Sequence, residues 1–107
     1  MRTLYILHNK KSGRLYVGVA FQHVHNTLRA HQNGVFKLTK GLNQDKWHLV
    51  RYWEFKENQD AFRYERVLIK WVEHAKINHE TVYEFTFIED QLDSLRRQKI
   101  LKELNKC

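Results

Sequence analysis

The sequence predicts a mixed α/β domain of the α+β type, its elements running strand, strand, helix, strand, helix, followed by one more strand and helix. Three observations predict it. Two β-rich runs, residues 3–7 and 15–19, flank the polar loop Asn9-Lys10-Lys11-Ser12-Gly13, which is the local signal of a hairpin. Two later stretches carry apolar residues at helical spacing. Between them lies a run dense in β-formers, Leu49, Val50, Tyr52, Trp53 and Phe55.

Side chains alternate along the hairpin, so Leu4 and Ile6 point one way and Tyr5 and Leu7 the other. In the second run Leu15, Val17 and Val19 share a face, opposite Tyr16, Gly18 and Ala20. A turn centred near Lys11 sets Tyr5 across from the Tyr16 to Gly18 end of its partner, where opposed residues share a face. Two phenols and a position without a side chain then line one small patch. Tyrosines also occur in strands for packing alone.

Val24, Leu28 and His31 recur at i, i+4 and i+7 and predict a short helix over residues 23–32, stopped by Asn33-Gly34. Residues 35–47 show no clean period and carry Lys37, Lys40, Gly41 and Lys46; a loop of this length is more often functional than idle. Residues 48–55 form the third strand. Asn58 or Asp60 caps a second helix running to about residue 74, with Ala61, Tyr64, Leu68, Trp71 and Val72 on one broad stripe. Residues 81–87 alternate as a further strand. A last helix, from Asp90 through Asn105, divides its apolar residues between Leu92/Leu95 and Ile100/Leu101/Leu104, so that it either bends or presents a second face to a protein partner.

A chain of 107 residues is one domain with a single core. Its net charge of +7 is unevenly spread. From Asn9 to Arg51, eight bases (Lys10, Lys11, Arg14, Arg29, Lys37, Lys40, Lys46 and Arg51) face one acid, Asp45, whereas from Tyr52 onward eleven acids meet ten bases. A basic front half suits a phosphate backbone, because each neutralised phosphate releases condensed counterions. Lys10, Lys11, Arg14, Arg29, Lys37, Lys40 and Lys46 are the candidate nucleic-acid contacts, the alternative being a solvated basic face. The lone Cys107 has no partner for an intrachain disulfide and no metal-ligand spacing, which argues against redox or zinc chemistry. No run approaches the about 18 apolar residues of a membrane helix, and the N-terminus lacks signal-peptide features. The expectation is a cytoplasmic protein that leaves membranes alone.

Glu65 is the anomaly of the second helix. Ala61, Glu65, Leu68 and Val72 follow i, i+4, i+7 and i+11, which puts a carboxylate inside the apolar stripe. Facing a core costs such a group several kcal/mol unless it is paired, protonated or bound to a cation. Periodicity leaves these open, including a reach around the stripe's edge to a neighbouring Lys or Arg. The pair His23 and His25 has a spacing that turns the two rings apart on a helix, so it does not point to a shared ion.

Thr3-Leu4-Tyr5 and Tyr16-Val17-Gly18 together resemble the two triplets that sign the GIY-YIG nuclease superfamily. The resemblance runs over roughly residues 3–78 and is nearest to the small stand-alone bacterial members and to the N-terminal domain of the excision-repair nuclease. Asn33-Gly34 followed by Lys37-Leu38-Thr39-Lys40-Gly41 resembles the basic segment after the first helix of those small members. Ala61-Phe62-Arg63-Tyr64-Glu65 followed by Ile69-Lys70-Trp71 resembles their second helix, and Asn78 is a looser match to a family asparagine. The resemblance implies a small antiparallel three-stranded sheet flanked by helices over residues 1–80; the strand and helix read from the pattern of residues 81–107 extend beyond the family's usual core and are expected to pack on the same domain.

The implied activity is hydrolysis of phosphodiester bonds in DNA, branched or damaged DNA included, with Mg²⁺ or Mn²⁺. Tyr5 would activate or position the attacking water, Tyr16 would support the nonbridging or nucleophilic oxygen, and Glu65 with waters would hold the metal. His31 matches the family's helix histidine, as a catalytic assistant or as packing. Magnesium suits a site with one carboxylate because it keeps much of its water shell. One departure bears on activity. Family members usually place an arginine in the first helix, and anchoring on Leu28 and His31 puts Thr27 there. Arg29 is nearest, but two residues along a helix turn the side chain by about 200°. Losing such a preorganised charge costs about 3 kcal/mol of transition-state stabilisation. Two alternatives to an endonuclease follow: a catalytically degenerate nucleic-acid-binding protein, and a protein-interaction module using the C-terminal strand and helix.

Overall fold

The computed structural model describes residues 2–85 and 88. Its elements are β1 (Arg2–Asn9), β2 (Leu15–Ala20), α1 (Val24–Gln32), β3 (Trp47–Phe55) and α2 (Asn58–Glu73), with 3₁₀ turns at Gln44–Lys46 and Val82–Glu84. The three strands form one antiparallel sheet in the order β2-β1-β3. This is the α+β arrangement of three strands and flanking helices that the sequence predicts.

Asn9 closes the hairpin. Its side-chain oxygen accepts from the amides of Lys11 and Ser12, both at 3.0 Å, and its carbonyl accepts from Gly13 N at 2.8 Å. Gly13 sits at φ +75°, in the left-handed region where a Cβ is penalised. The turn fixes the register: Tyr5 lies opposite Gly18 and Leu7 opposite Tyr16. As the central strand, β1 is covered on both faces. Leu4 and Ile6 join Val17, Trp53, Phe55, Tyr64 and Leu68 on the α2 side, while Tyr5 and Leu7 join Ala20, Val24 and Trp47 on the α1 side. β3 carries one extra residue, since Ile6 pairs with Arg51 and Leu7 with Leu49; such a bulge bends the strand locally.

α1 starts at Val24 because His23 is spent as its cap, the ring accepting from His25 N at 3.3 Å. Its buried face is Val24, Thr27 and His31, with Leu28 half-buried beside it. α2 is capped by Glu57 without a side-chain hydrogen bond, so neither Asn58 nor Asp60 plays the expected role. Both helices end in the same way. Val35 N donates to the Ala30 carbonyl and Gly34 N to that of His31, and likewise Lys76 N to Trp71 and Ala75 N to Val72. This is the paired bonding of a Schellman motif, with Gly34 at φ +75° in one helix and Ala75 at φ 55° in the other.

The strand expected over residues 81–87 is not what its described part forms. Val82–Glu84 make a 3₁₀ turn. Asn78 sets it up, its side-chain oxygen accepting from Glu80 N at 2.8 Å and Thr81 N at 3.0 Å; these local bonds compete with strand pairing. Val82 and Ile88 are fully buried in the cluster that holds Leu68 and Tyr64. The rest of that expected strand and the expected last helix lie outside the described residues.

Candidate functional site

β1 and β2 bring Tyr5 and Tyr16 together, ring centroids 6.2 Å apart and tilted by 41°. Gly18 makes the room for this. A Cβ there would stand 2.6 Å from Tyr5 Oη, 2.8 Å from Tyr5 Cζ and 2.9 Å from Tyr16 Cε1. The backbone of Gly18 is not in the left-handed region, so the glycine serves space and not conformation.

Tyr5 Oη lies 2.8 Å from His31 Nε2, and His31 Nδ1 lies 2.6 Å from Thr39 Oγ1. Thr39 Oγ1 is also 3.4 Å from the Phe36 carbonyl, which can only accept. Assigning the single hydroxyl proton of Thr39 to Phe36 makes the threonine oxygen the acceptor of Nδ1–H and leaves Nε2 to accept the phenol proton of Tyr5. The indole N–H of Trp47 donates to the Thr39 carbonyl at 3.0 Å and fixes this loop. His31 also packs between Tyr16 and Phe36, at centroid distances of 4.9 and 4.2 Å.

His31 is fully buried, and burial lowers its pKa to about 4. An imidazole whose pKa falls on folding takes up its proton more readily in the unfolded chain. Its contribution to stability is complete above about pH 6.5 and drains away as pH falls toward 4, by about 3 kcal/mol over that window. Burial lowers His8 and His48 as well, and they add in the same direction. Urea midpoints measured from neutral to mildly acidic pH will show this loss, and His31→Gln will flatten the profile. An unchanged profile in that variant contradicts the assignment to His31.

β2 is an edge strand, and a cleft of about 360 Å³ runs beside it, lined by Tyr16, Leu38, Glu65, Ile69 and Glu73 among others. Glu65 is half-buried at this rim and does not face the core as its place in the stripe suggests. Among the described residues it makes no salt bridge. Burial raises its pKa, with the Arg66 guanidinium pulling the other way. The phenols are raised too, Tyr5 by burial, then by Tyr16 and the Glu65 carboxylate, and Tyr16 by burial and then Glu65. Glu65 thus opposes ionisation of both phenols. A divalent cation fits this donor set, since it reverses the local sign of the field. No group of three protein ligands exists among the described residues, so the fit is to an ion that keeps most of its water.

The seven candidate basic residues are all exposed. Lys37 flanks Leu38 on the cleft's rim, while Arg14 and Lys40 share a second cavity. Lys10 acts on His8 and His48, at the other end of β1, and Lys46 lies 3.6 Å from Asp45. Thr27 is buried in α1 and Arg29 is exposed. With the helix starting where expected, Arg29 does not take the place of the missing arginine, and no arginine lines the cleft among the described residues. The side chain of Asn78 is committed to its turn.

Two features escaped the sequence reading. One is the bond from Thr39 to His31. The other is a cluster at the far end of β1, where His8 Nδ1 and His48 Nε2 lie 2.8 and 2.6 Å from the Tyr83 hydroxyl and pin the 3₁₀ turn to the sheet. No helix among the described residues is long and apolar enough to cross a membrane.

The family model for the GIY-YIG catalytic domain matches residues 1–78. No curated protein and no solved structure matches the chain.

Proposed function

The chain belongs to the GIY-YIG nuclease superfamily, and from that premise we propose that it is a divalent-metal-dependent DNA endonuclease acting at the cleft beside β2. Membership implies a nuclease-type function, a nucleic-acid substrate and, in general, dependence on a divalent metal. The observation that carries the finer reading is the Tyr5 hydroxyl, seated over Gly18, hydrogen-bonded to His31 and within the field of Glu65.

Glu65 would hold Mg²⁺, with water and substrate oxygens in the remaining positions. When bound, the ion would polarise the phosphate and offset the charge that builds in the transition state. Tyr5 enters as a neutral phenol, since burial keeps its pKa high. As water attacks phosphorus, Tyr5 Oη takes the water's proton while its own proton passes to His31 Nε2, the nitrogen that Thr39 leaves bare. The bond from water oxygen to phosphorus forms as the bond from phosphorus to the leaving oxygen breaks. The leaving oxygen takes a proton from solvent water, and His31, whose pKa is low, returns its extra proton to Tyr5 as Tyr5 releases one to solvent. Tyr16, on the cleft wall, donates to a nonbridging oxygen.

One observation favours a second reading. A buried Thr27 and an outward Arg29 leave the cleft without a guanidinium among the described residues, and a fold that binds DNA without cutting it is what loss of that charge would produce. The two readings separate on supercoiled plasmid in Mg²⁺. The endonuclease reading expects nicking that stops in chelator and is slowed at least about a hundredfold in Glu65→Gln. Salt-sensitive binding without any nicking assigns the protein to the second reading.

A further inference from the structure

A smaller cavity, about 130 Å³, opens between the hairpin loop and residues 39–44. Pockets that enclose whole small molecules measure roughly 300–1,000 Å³, so this one suits a group of a few atoms. Arg14 and Lys40 line it together with Ser12, Gly41 and Asn43, and no carboxylate does. Among the described residues neither cation takes part in a salt bridge. Two cations on the wall of a concave polar pocket, with no acid among its lining residues, make a seat for an anion.

The pocket is also held in shape before any ligand arrives. Asn9 organises the hairpin loop with its side-chain oxygen and donates from its side-chain nitrogen to the Asn43 carbonyl at 2.7 Å, tying the two loops together. The Trp47 indole anchors the second loop through the Thr39 carbonyl at 3.0 Å. Thr39 belongs to both sites, because it lines this pocket while its hydroxyl meets His31, the partner of Tyr5.

We infer that the Arg14 and Lys40 pocket binds a backbone phosphate of the nucleic-acid strand other than the one being cut. This rests on the nuclease reading above. Holding that phosphate against the loop that carries Thr39 fixes the strand's position relative to Tyr5, so the pocket sets register as well as affinity.

The test uses the isotope-labelled full chain titrated with inorganic phosphate at constant ionic strength, following the Gly41 amide and the Trp47 indole by NMR. The expected result is a saturable shift of both. The double variant Arg14→Gln/Lys40→Gln weakens it about tenfold or more, as loss of charge-assisted hydrogen bonds predicts. Lys56→Gln/Arg63→Gln, which removes equal charge elsewhere, leaves it in place. All four side chains are exposed, so both variants keep the fold, as circular dichroism will check. A DNA duplex should move the same two signals. The slope of log affinity against log salt should fall by about one in the pocket variant. Shifts that never saturate, or that weaken equally in both variants, overturn the pocket. A phosphate response that duplex fails to reproduce overturns its assignment to the backbone. Phosphate docking in a protein that never nicks DNA removes the endonuclease reading alone, and Glu65-dependent nicking without a phosphate response removes the pocket alone.

Discussion

Gly18→Ala will cut kcat by about a hundredfold while leaving the fold intact, because one methyl group is enough to displace Tyr5 by about 1 Å. The added Cβ would meet Tyr5 Oη at 2.6 Å and Cζ at 2.8 Å, too close for either atom to stay. Retreat of the phenol strains its 2.8 Å bond to His31 Nε2. The alanine itself has no backbone strain, since φ at Gly18 is not positive, and the cost in stability is the about 1–3 kcal/mol of local overpacking. Single-turnover nicking at saturating DNA reads the first effect and urea unfolding the second. Wild-type kcat in a folded Gly18→Ala protein would show that Tyr5 does not work from its place above that residue.

Tyr5→Phe removes one oxygen and should have two separable effects. The loss of a positioned proton acceptor lowers kcat by about 10²- to 10⁴-fold. His31 Nε2 is at the same time left buried without a partner, which destabilises the fold by about 1–3 kcal/mol. Phenylalanine is as good a strand former as tyrosine, so the second effect is not one of propensity. Nicking rates and urea midpoints on the same sample measure both. A variant as stable as wild type contradicts the Tyr5 to His31 bond, and one as active contradicts the role of the phenol.

The hairpin was readable in the sequence because its determinants are local. Alternation assigned the faces of residues 4–7 and 15–20, and a turn near Lys11 set Tyr5 across from the Tyr16 to Gly18 end of β2, where it pairs with Gly18. Helix ends were readable at Asn33-Gly34 for the same reason. The start of α2 was not, because Glu57 caps by backbone conformation without a side-chain bond. Residues 82–84 have an alternating pattern that suggests a strand, and the side chain of Asn78, four residues upstream of Val82, diverts them into a turn. Glu65 was half readable. Periodicity put it in the apolar stripe, but whether a stripe's margin meets core or cleft depends on the edge strand beside it. The bond from Thr39 to His31 had no signal, since residues 35–47 lack a period and their path is set by tertiary contacts such as the Trp47 indole. The contact of His8 with Tyr83 spans 75 positions and depends on the whole fold.

The central claim is that Tyr5 and Glu65 act on one phosphodiester in one cleft. A double-mutant cycle tests it most directly, with nicking by wild type, Tyr5→Phe, Glu65→Gln and the double variant followed under single-turnover conditions in saturating Mg²⁺. Groups that serve one transition state are strongly non-additive, so the double variant should be little slower than the slower single one. Losses that multiply, or a wild-type protein that leaves the plasmid uncut, would contradict it.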